Sequence, residues 1–571
     1  MNILDRIVET KKQEVKALYQ QYRLETLKAE TAPTPRSFYA AIGAAKASGQ
    51  PFFISEFKRK SPSEGWIHCE ADLPAQLRAY AQAGAGAISV LSDEPWFGGT
   101  YADLRLATET LDALGQQRPL LLQKDFILDA IQIYLARQHG ADLILLIAAI
   151  LEPDQLQYLR TVAESLGMGV LAEIHDAAEW EKIKPLQFPV VGINSRDLKT
   201  FRTALNRVTV LRRKIDPTPN PSPGGRGVKV VDEAEGTGGL GNEGTGGLGN
   251  EGTGDLGNEG TGDLGNEGTG GLGNEGTGDL GNGETGDFGN GAVAQAIPVF
   301  AGTAVVAESG IRDYRDFHLL RTADAFLIGT GLMRSDGAFQ GATDFSDYYR
   351  SPRPYLFKAC GLRTAGLLIQ YQYPAAQEDR VTAPDFVGIN FSPLSKRRVH
   401  PHEALAGLDR IPSHFVAVFY GNTEAEIREI LTQYPFQTVQ LYANEVSPTF
   451  VRSLKQRIFL ALPVRSSDDL ESVEAFASDV DVFILDGATP GSGQRIGTHI
   501  PIDFPYPFFL AGGLHEQNLT AVLDYPNCVG VDIASGIETD GAVDVTKIQR
   551  IGQRLGSIAK PVTSHLFPNM P

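Results

Sequence analysis

The sequence predicts an α/β protein built as two (β/α)8 barrels in tandem, and three observations predict it. The chain has 571 residues, too many for one ordinary domain and enough for two barrels of roughly 250 residues each. Apolar runs of strand length alternate with amphipathic stretches along both halves, the pattern of parallel strands buried on both faces with helices between them. One phosphate-grip pattern occurs twice: A-V-V-A-E-S-G (304–310) then A-F-L-I-G-T-G (325–331), and P-F-F-L-A-G-G (507–513) then C-V-G-V-D-I-A-S-G (528–536). Glycine lets an anion approach bare N–H groups, and a helix start behind it adds a positive dipole. The loops after strands seven and eight of such a barrel bind phosphate this way. Each barrel is therefore expected to handle a phosphorylated small molecule.

In chain order, a helix is expected first at residues 3–19, where Ile3, Leu4, Ile7, Val8, Val15 and Leu18 mark an apolar face. The first barrel's strands follow at 51–57, 85–92, 119–125, 141–148, 169–174, 190–195, 304–309 and 325–330. Helical spacing lies between them, as at 72–83 and at 153–166, where Asp154 opens a run of Leu156, Leu159, Val162, Ala163 and Leu166. The second barrel's strands are expected at 355–360, 385–391, 415–420, 438–443, 458–463, 482–487, 507–511 and 528–534. The join falls at Ser351-Pro352-Arg353-Pro354, a proline-rich stretch suited to a stiff connection. The expected domains are thus 1–350 and 355–571.

The first domain is interrupted at 217–302. A proline-rich start leads into an octapeptide, L-G-N-E-G-T-G-G/D, that runs six times from Leu240 to Asp287. Half of each unit is glycine and one position is apolar, so disorder is expected: too little surface can be buried to offset the ordering entropy. A calcium-binding β-roll needs a nine-residue repeat with a different aspartate pattern. The insertion stands where a helix-to-strand loop belongs, on the N-terminal face of a barrel, opposite the chemistry.

Charge and composition exclude several classes. The net charge is −18, but 217–303 carries 13 acidic residues against two basic ones, so the rest is ordinary. There is no basic patch for nucleic acid, and no run of 18 apolar residues to span a membrane. The N-terminus opens as an amphipathic helix where a secretory leader would stand. Three cysteines (Cys69, Cys360, Cys528), none at metal-ligand spacing, point to a reducing, cytoplasmic setting. No metal or cofactor is expected, and the protein is expected to be monomeric.

Polar residues cluster where the first barrel's strands end: Glu56, Lys58 and Ser61, then Lys124, Glu173, Asn194 and Arg196, then Glu308, Ser309, Gly329 and Thr330. A charge inside a buried apolar run is costly unless paired or functional, and so many at one rim favour function. The segments S-E-F-K-R-K-S-P-S-E-G, L-L-Q-K-D-F, L-A-E-I-H, V-G-I-N-S-R-D-L and V-A-E-S-G-I closely resemble indole-3-glycerol-phosphate synthase. That family closes the indole ring of 1-(2-carboxyphenylamino)-1-deoxyribulose 5-phosphate with loss of carbon dioxide and water. The resemblance implies Lys124 as general acid, Glu173 as general base, Lys58 on the substrate carboxylate and Glu56 near the reacting centre. It implies Ser61, Asn194, Arg196 and Glu308 in the polar pocket, and Ser309, Gly329 and Thr330 near the phosphate. Glu64, where many relatives have lysine, is expected to face solvent. A Schiff base at Lys124, as in lyases of this fold, is the competing chemistry, and borohydride trapping separates the two.

In the second barrel Cys360 precedes a glycine at the end of strand one, facing Asp486 at the end of strand six, an arrangement that fits a base opposite an acid; a lowered thiol pKa would help. K-A-C-G-L, N-F-S-P-L-S-K-R, F-I-L-D-G, F-F-L-A-G-G-L and V-D-I-A-S-G-I-E resemble phosphoribosylanthranilate isomerase, whose reaction is an Amadori rearrangement of N-(5-phosphoribosyl)anthranilate. The resemblance implies Cys360 as base, Asp486 as acid, Arg397 on the substrate, Gly512, Gly513, Ser535 and Gly536 at the phosphate, and Asp532 nearby. Relatives commonly carry Q-L-H-G on strand four where this chain has Gln440-Leu441-Tyr442-Ala443, and their G-G-T-G loop survives only as Pro490-Gly491-Ser492-Gly493. The expected whole is a bifunctional enzyme of tryptophan biosynthesis. The alternative is an active synthase with a degraded isomerase barrel kept as a scaffold.

Overall fold

The computed structural model describes residues 3–62, 64–197, 202–217, 302–333, 353–371, 381–486, 500–501 and 503–558. The octapeptide repeat and the 490–493 loop lie outside them. Eight parallel strands close the first barrel: β1 (Phe52–Phe57), β2 (Ala87–Leu91), β3 (Leu120–Lys124), β4 (Leu143–Ile147), β5 (Gly169–Ile174), β6 (Val190–Asn194), β7 (Ala304–Glu308) and β8 (Ala325–Ile328). Closure is made by β1, which pairs with β8 on one side and β2 on the other. The second barrel repeats this with β9 (Leu356–Cys360), β10 (Phe386–Asn390), β11 (Phe415–Val418), β12 (Thr438–Tyr442), β13 (Arg457–Pro463), β14 (Val482–Asp486), β15 (Phe508–Ala511) and β16 (Cys528–Ile533). All sixteen strands stand within two residues of their predicted bounds.

Strand parity explains what each barrel contains. Side chains alternate between the faces of a strand, so Phe52 and Ile54 of β1, Leu120 and Leu122 of β3, and Ala304 and Val306 of β7 fill the interior. Their neighbours Phe53, Leu121 and Val305 pack outward against the helices. The helix Phe38–Ser48 closes the N-terminal end of the barrel with Phe38 and Ile42. An N-terminal helix, α1 (Ile3–Gln21), lies over the opposite end, as its apolar periodicity predicts. Its sole buried polar residue, Lys11, is discussed below.

The first barrel meets the second at the N-terminal ends of the latter's strands. Arg315 donates to the Asp385 carbonyl before β10 (3.0 Å), Asp316 pairs with Arg457 at the start of β13 (2.5 Å), and the Leu205 N–H donates to Asp481 before β14 (3.2 Å). Arg353, in the stretch between the barrels, is fully buried and pairs with Asp385 at 2.5 Å. The C-terminal ends of β9 and β14, which bear Cys360 and Asp486, lie at the other end of the second barrel.

Candidate active sites

The interior parity of the first barrel carries its polar residues. Counting by twos from the apolar interior, Ile54 leads to Glu56 and Lys58, Leu122 to Lys124, and Leu171 to Glu173. Val190 leads past Gly192 to Asn194 and Arg196, Val306 to Glu308, and Leu327 to Gly329. Every predicted residue of this group therefore reaches one rim. A cavity opens there, with Glu56, Lys58, Lys124, Glu173, Asn194 and Glu308 in its wall.

Lys124 is the centre. Its Nζ lies 3.1 Å from Glu308 Oε2 and 3.3 Å from Glu173 Oε2. Burial alone would strip its proton, but Glu308, Glu173 and Glu56 outweigh that and hold it well above the usual lysine range. The two carboxylates divide. Burial pushes Glu308 up to about 8, with the Glu173 charge adding to it against the pull of Lys124. Burial acts on Glu173 too, but Lys124 and His175 overcome it and hold that carboxyl below the usual range. The shifts run in opposite directions, up at Glu308 and down at Glu173, as like charges sharing one site favour. Across the rim Lys58 pairs with Glu56 at 2.7 Å.

The backbone turns sharply after β7 and β8. Ser309 takes a left-handed φ of 68° and Gly310 one of 80°, while Thr330 opens a single helical turn after β8. Ser61 is buried and accepts from the Glu64 N–H at 3.2 Å; Glu64 itself is exposed, as expected.

In the second barrel the same parity brings Lys358 and Cys360, Gln440 and Tyr442, Asp486 and Asp532 inward at the C-terminal ends of β9, β12, β14 and β16. Lys358 holds Asp532 with both oxygens at 2.9 Å, so the carboxylate expected near the phosphate is engaged by an ammonium. Arg397 grips Glu538 in a two-pronged pair at 2.8 and 2.7 Å. Gly512 (φ 92°) and Gly513 (φ 64°) follow β15 in left-handed backbone, and the tight turn Ser535–Ile537 follows β16. Burial raises Cys360 above the ordinary cysteine range, against the lowering pull of Lys358. The altered strand-four position, Tyr442, is buried in this site, where burial and then the charges of Asp486, Cys360 and Asp532 raise its hydroxyl.

The two family comparisons follow these two rims. The family model for indole-3-glycerol phosphate synthase matches residues 4–224. An indole-3-glycerol phosphate synthase of Neisseria meningitidis serogroup B is 44% identical over 214 residues, 37% of this chain and 79% of the relative. The chain belongs to the indole-3-glycerol phosphate synthase family. The model for N-(5'phosphoribosyl)anthranilate (PRA) isomerase matches residues 362–554. Two proteins named tryptophan biosynthesis protein TrpCF are similar along their whole length. That of Haemophilus influenzae is 28% identical over 566 residues, 96% of each chain. That of Salmonella typhi is 29% identical over 573 residues, 97% of this chain and 99% of the relative. The chain is a bifunctional enzyme of tryptophan biosynthesis, a decarboxylating synthase joined to an isomerase.

The synthase match ends at residue 224, yet β7 and β8, beyond the insertion, supply Glu308 and Gly329. Sequence reasoning missed several members of these sites. Lys11 of α1 reaches Asp125 (2.8 Å), Asp93 (3.0 Å) and Glu14 (2.6 Å), and pins the helix over the synthase mouth. Its signal was present, since position 11 lies four residues from both Ile7 and Val15 on the apolar face. His175, two residues past Glu173, was also overlooked, as were Lys358 and Glu538. Among the described residues, no helix is long and apolar enough to cross a membrane.

Proposed function

We propose that Lys124 delivers the proton to the substrate carbonyl as the indole ring closes, and that Glu173 removes the proton lost in dehydration. The observation that carries this reading is the ammonium of Lys124 set 3.3 Å from Glu173 and 3.1 Å from Glu308, two buried carboxylates on different strands. One acid and one base then stand in the same cavity, and each positioned group typically contributes about 10²–10⁴ in rate. Lys58 takes the substrate carboxylate until it leaves as carbon dioxide, with Glu56 fixing that ammonium. Asn194 and Arg196 line the pocket with Ser61, and Ser309, Gly329 and Thr330 take the phosphate at the left-handed turn and helix start.

In the second barrel Cys360 acts as base and Asp486 as acid, with Arg397 on the substrate, Gly512, Gly513, Ser535 and Gly536 on the phosphate, and Asp532 behind Lys358. The isomerase barrel spans 355–571 and the synthase barrel 1–350 in this reading. Its ligands are phosphorylated small molecules and not nucleic acid. Each site is assembled from strands of one chain, which supports a monomer, and three free cysteines support a cytoplasmic setting. No observation favours a scaffold-only isomerase barrel.

The test feeds N-(5-phosphoribosyl)anthranilate to the purified protein and follows indole-3-glycerol phosphate and carbon dioxide. Lys124→Met should stop the sequence at the ketose. Cys360→Ala should leave the starting material untouched but still convert added ketose. Ring closure by Lys124→Met at the wild-type rate would overturn the assignment, and an adduct trapped by borohydride would replace it with Schiff-base chemistry.

A further inference from the structure

His175 is buried, ionisable and unused by the chemistry described above. It follows Glu173 by two positions, so both side chains turn to the same side of the chain leaving β5. Its Nε2 lies 3.3 Å from Glu173 Oε1, a close charge contact without the alignment of a hydrogen bond. Its Nδ1 lies 3.1 Å from Glu179 Oε2, on the helix Ala177–Ile183, and the same oxygen accepts the His175 backbone N–H at 2.8 Å. The two oxygens of Glu173 are thereby divided between two cations. Oε2 faces Lys124 on β3, and Oε1 faces the imidazole at the end of its own strand.

We infer that His175, wedged between Glu173 and Glu179, is a positioning residue for ring closure that fixes the orientation and ionisation of Glu173. The inference rests on Glu173 being the base. The charged groups that face the imidazole are Glu173 on its own strand and Glu179 on the following helix; beyond Glu173 stand Lys124 from β3, Glu308 from β7 and Glu56 from β1. Burial would discharge the ring, but the two flanking carboxylates raise it to about 10. A protonated ring beside Oε1 favours the carboxylate form of Glu173, and the Glu179 contact holds the ring in place. Without it, Glu173 would lose one of its two close cationic neighbours and would take up a proton more easily.

The experiment compares pH profiles of ring closure for the full-length protein, His175→Asn and Glu179→Gln, with isomerase activity of the same preparations as the control for folding. His175→Asn keeps a hydrogen-bonding side chain and removes the charge. Its acid limb in kcat should move up by about one pH unit or more, with KM changed less than about threefold and isomerase activity unchanged. Glu179→Gln should leave the acid limb in place, because the ring still carries its charge at acid pH beside Glu173. An acid limb unmoved in His175→Asn, or a uniform loss across all pH values, overturns the inference. If His175→Asn does not fold, His175→Gln, which also removes the charge, is read in the same way. Glu173→Gln separates the two levels: full ring closure by that variant sinks the assignment of the base itself, whereas an inactive Glu173→Gln beside an unaltered His175→Asn sinks only the role given to His175.

Discussion

Gly192 leaves the space that Glu308 occupies. A Cβ built on Gly192 of β6 would stand 1.9 Å from Glu308 Oε1, on the neighbouring strand β7. The contact falls on a carboxylate that Lys124 already holds from the other oxygen, so the side chain cannot swing away without leaving Lys124. Gly192→Ala should therefore lower ring closure by about 10²-fold, the effect of misplacing a catalytic group by about an ångström. Isomerase activity should be unchanged. Assaying both reactions on one preparation checks this, and a synthase within twofold of wild type would refute it.

Lys11 is expected to contribute to stability and to the synthase together. Its ammonium meets Asp93 and Asp125, both nearly fully buried. Asp125 is the residue after Lys124 and also accepts from Ser92 and from the Phe126 N–H. Lys11→Met would leave two buried carboxylates without their cation, a change that costs about 3 kcal/mol or more. Thermal unfolding should show the loss. Ring closure should fall further than isomerisation, because α1 also supplies Ile3, Leu4 and Ile7 to the synthase cavity wall. Equal losses in the two reactions would count against a local effect.

The isomerase should be limited by thiol ionisation. Burial lifts Cys360 above the ordinary cysteine range, and Lys358 offsets only part of this. A thiol that must lose its proton to act as base is then mostly protonated at neutral pH. The isomerase kcat/KM should rise from pH 6 to pH 9. Lys358→Met, which removes the nearest cation, should push that rise to higher pH. A flat profile over this range would show that the ionisation of Cys360 does not govern the step.

Much of this was legible in the sequence because strand parity is a strict rule. Once β1, β3, β5 and β7 are placed, Glu56, Lys124, Glu173 and Glu308 must share one interior, and only the rim they reach has to be inferred from chain direction. Partnerships were not legible. That Lys11 spans from α1 to Asp93 and Asp125, or that Arg397 closes on Glu538, depends on side-chain reach between segments far apart in the chain. The pairing of Arg353 was out of reach for the same reason, since its partner Asp385 comes 32 residues later. A position at a strand end likewise says nothing about how deeply the sulfur of Cys360 is enclosed.

His414 should make the second barrel sensitive to acid. It is buried just before β11, its Nε2 lies 2.6 Å from the Tyr371 carbonyl oxygen, and burial, with the Arg315 charge, lowers its pKa to about 4. The folded value lies below the unfolded value of about 6.5. The unfolded chain therefore binds this proton first, and stability is lost as pH falls from about 6.5 toward 4. His414→Gln removes the titration. Between pH 7 and pH 4 the wild type should lose on the order of 2 kcal/mol more than the variant, read from denaturant unfolding at each pH. Parallel losses in the two proteins would refute the assignment.

The insertion is expected to be dispensable for both reactions, and the argument rests on where its ends are anchored. It leaves the barrel after the helix Asn206–Ile215 and returns just before β7. Arg212 in the last turn of that helix donates to the Thr303 carbonyl (3.0 Å) and pairs with Asp324 (3.0 Å), and Lys46 also donates to Thr303 (3.3 Å). Exit and return are therefore tied together by the barrel itself, at the N-terminal end of β7, whereas Glu308 stands at the other end. Replacing 218–301 with about six glycine and serine residues removes roughly four doublings of loop length, or about 2 kcal/mol of closure entropy at ~0.6 per doubling. The shortened protein should be somewhat more stable, with both kcat values within about twofold of the parent. A large loss of ring closure would show that the segment reaches the far rim, and a loss of isomerisation would show that it acts on the second barrel.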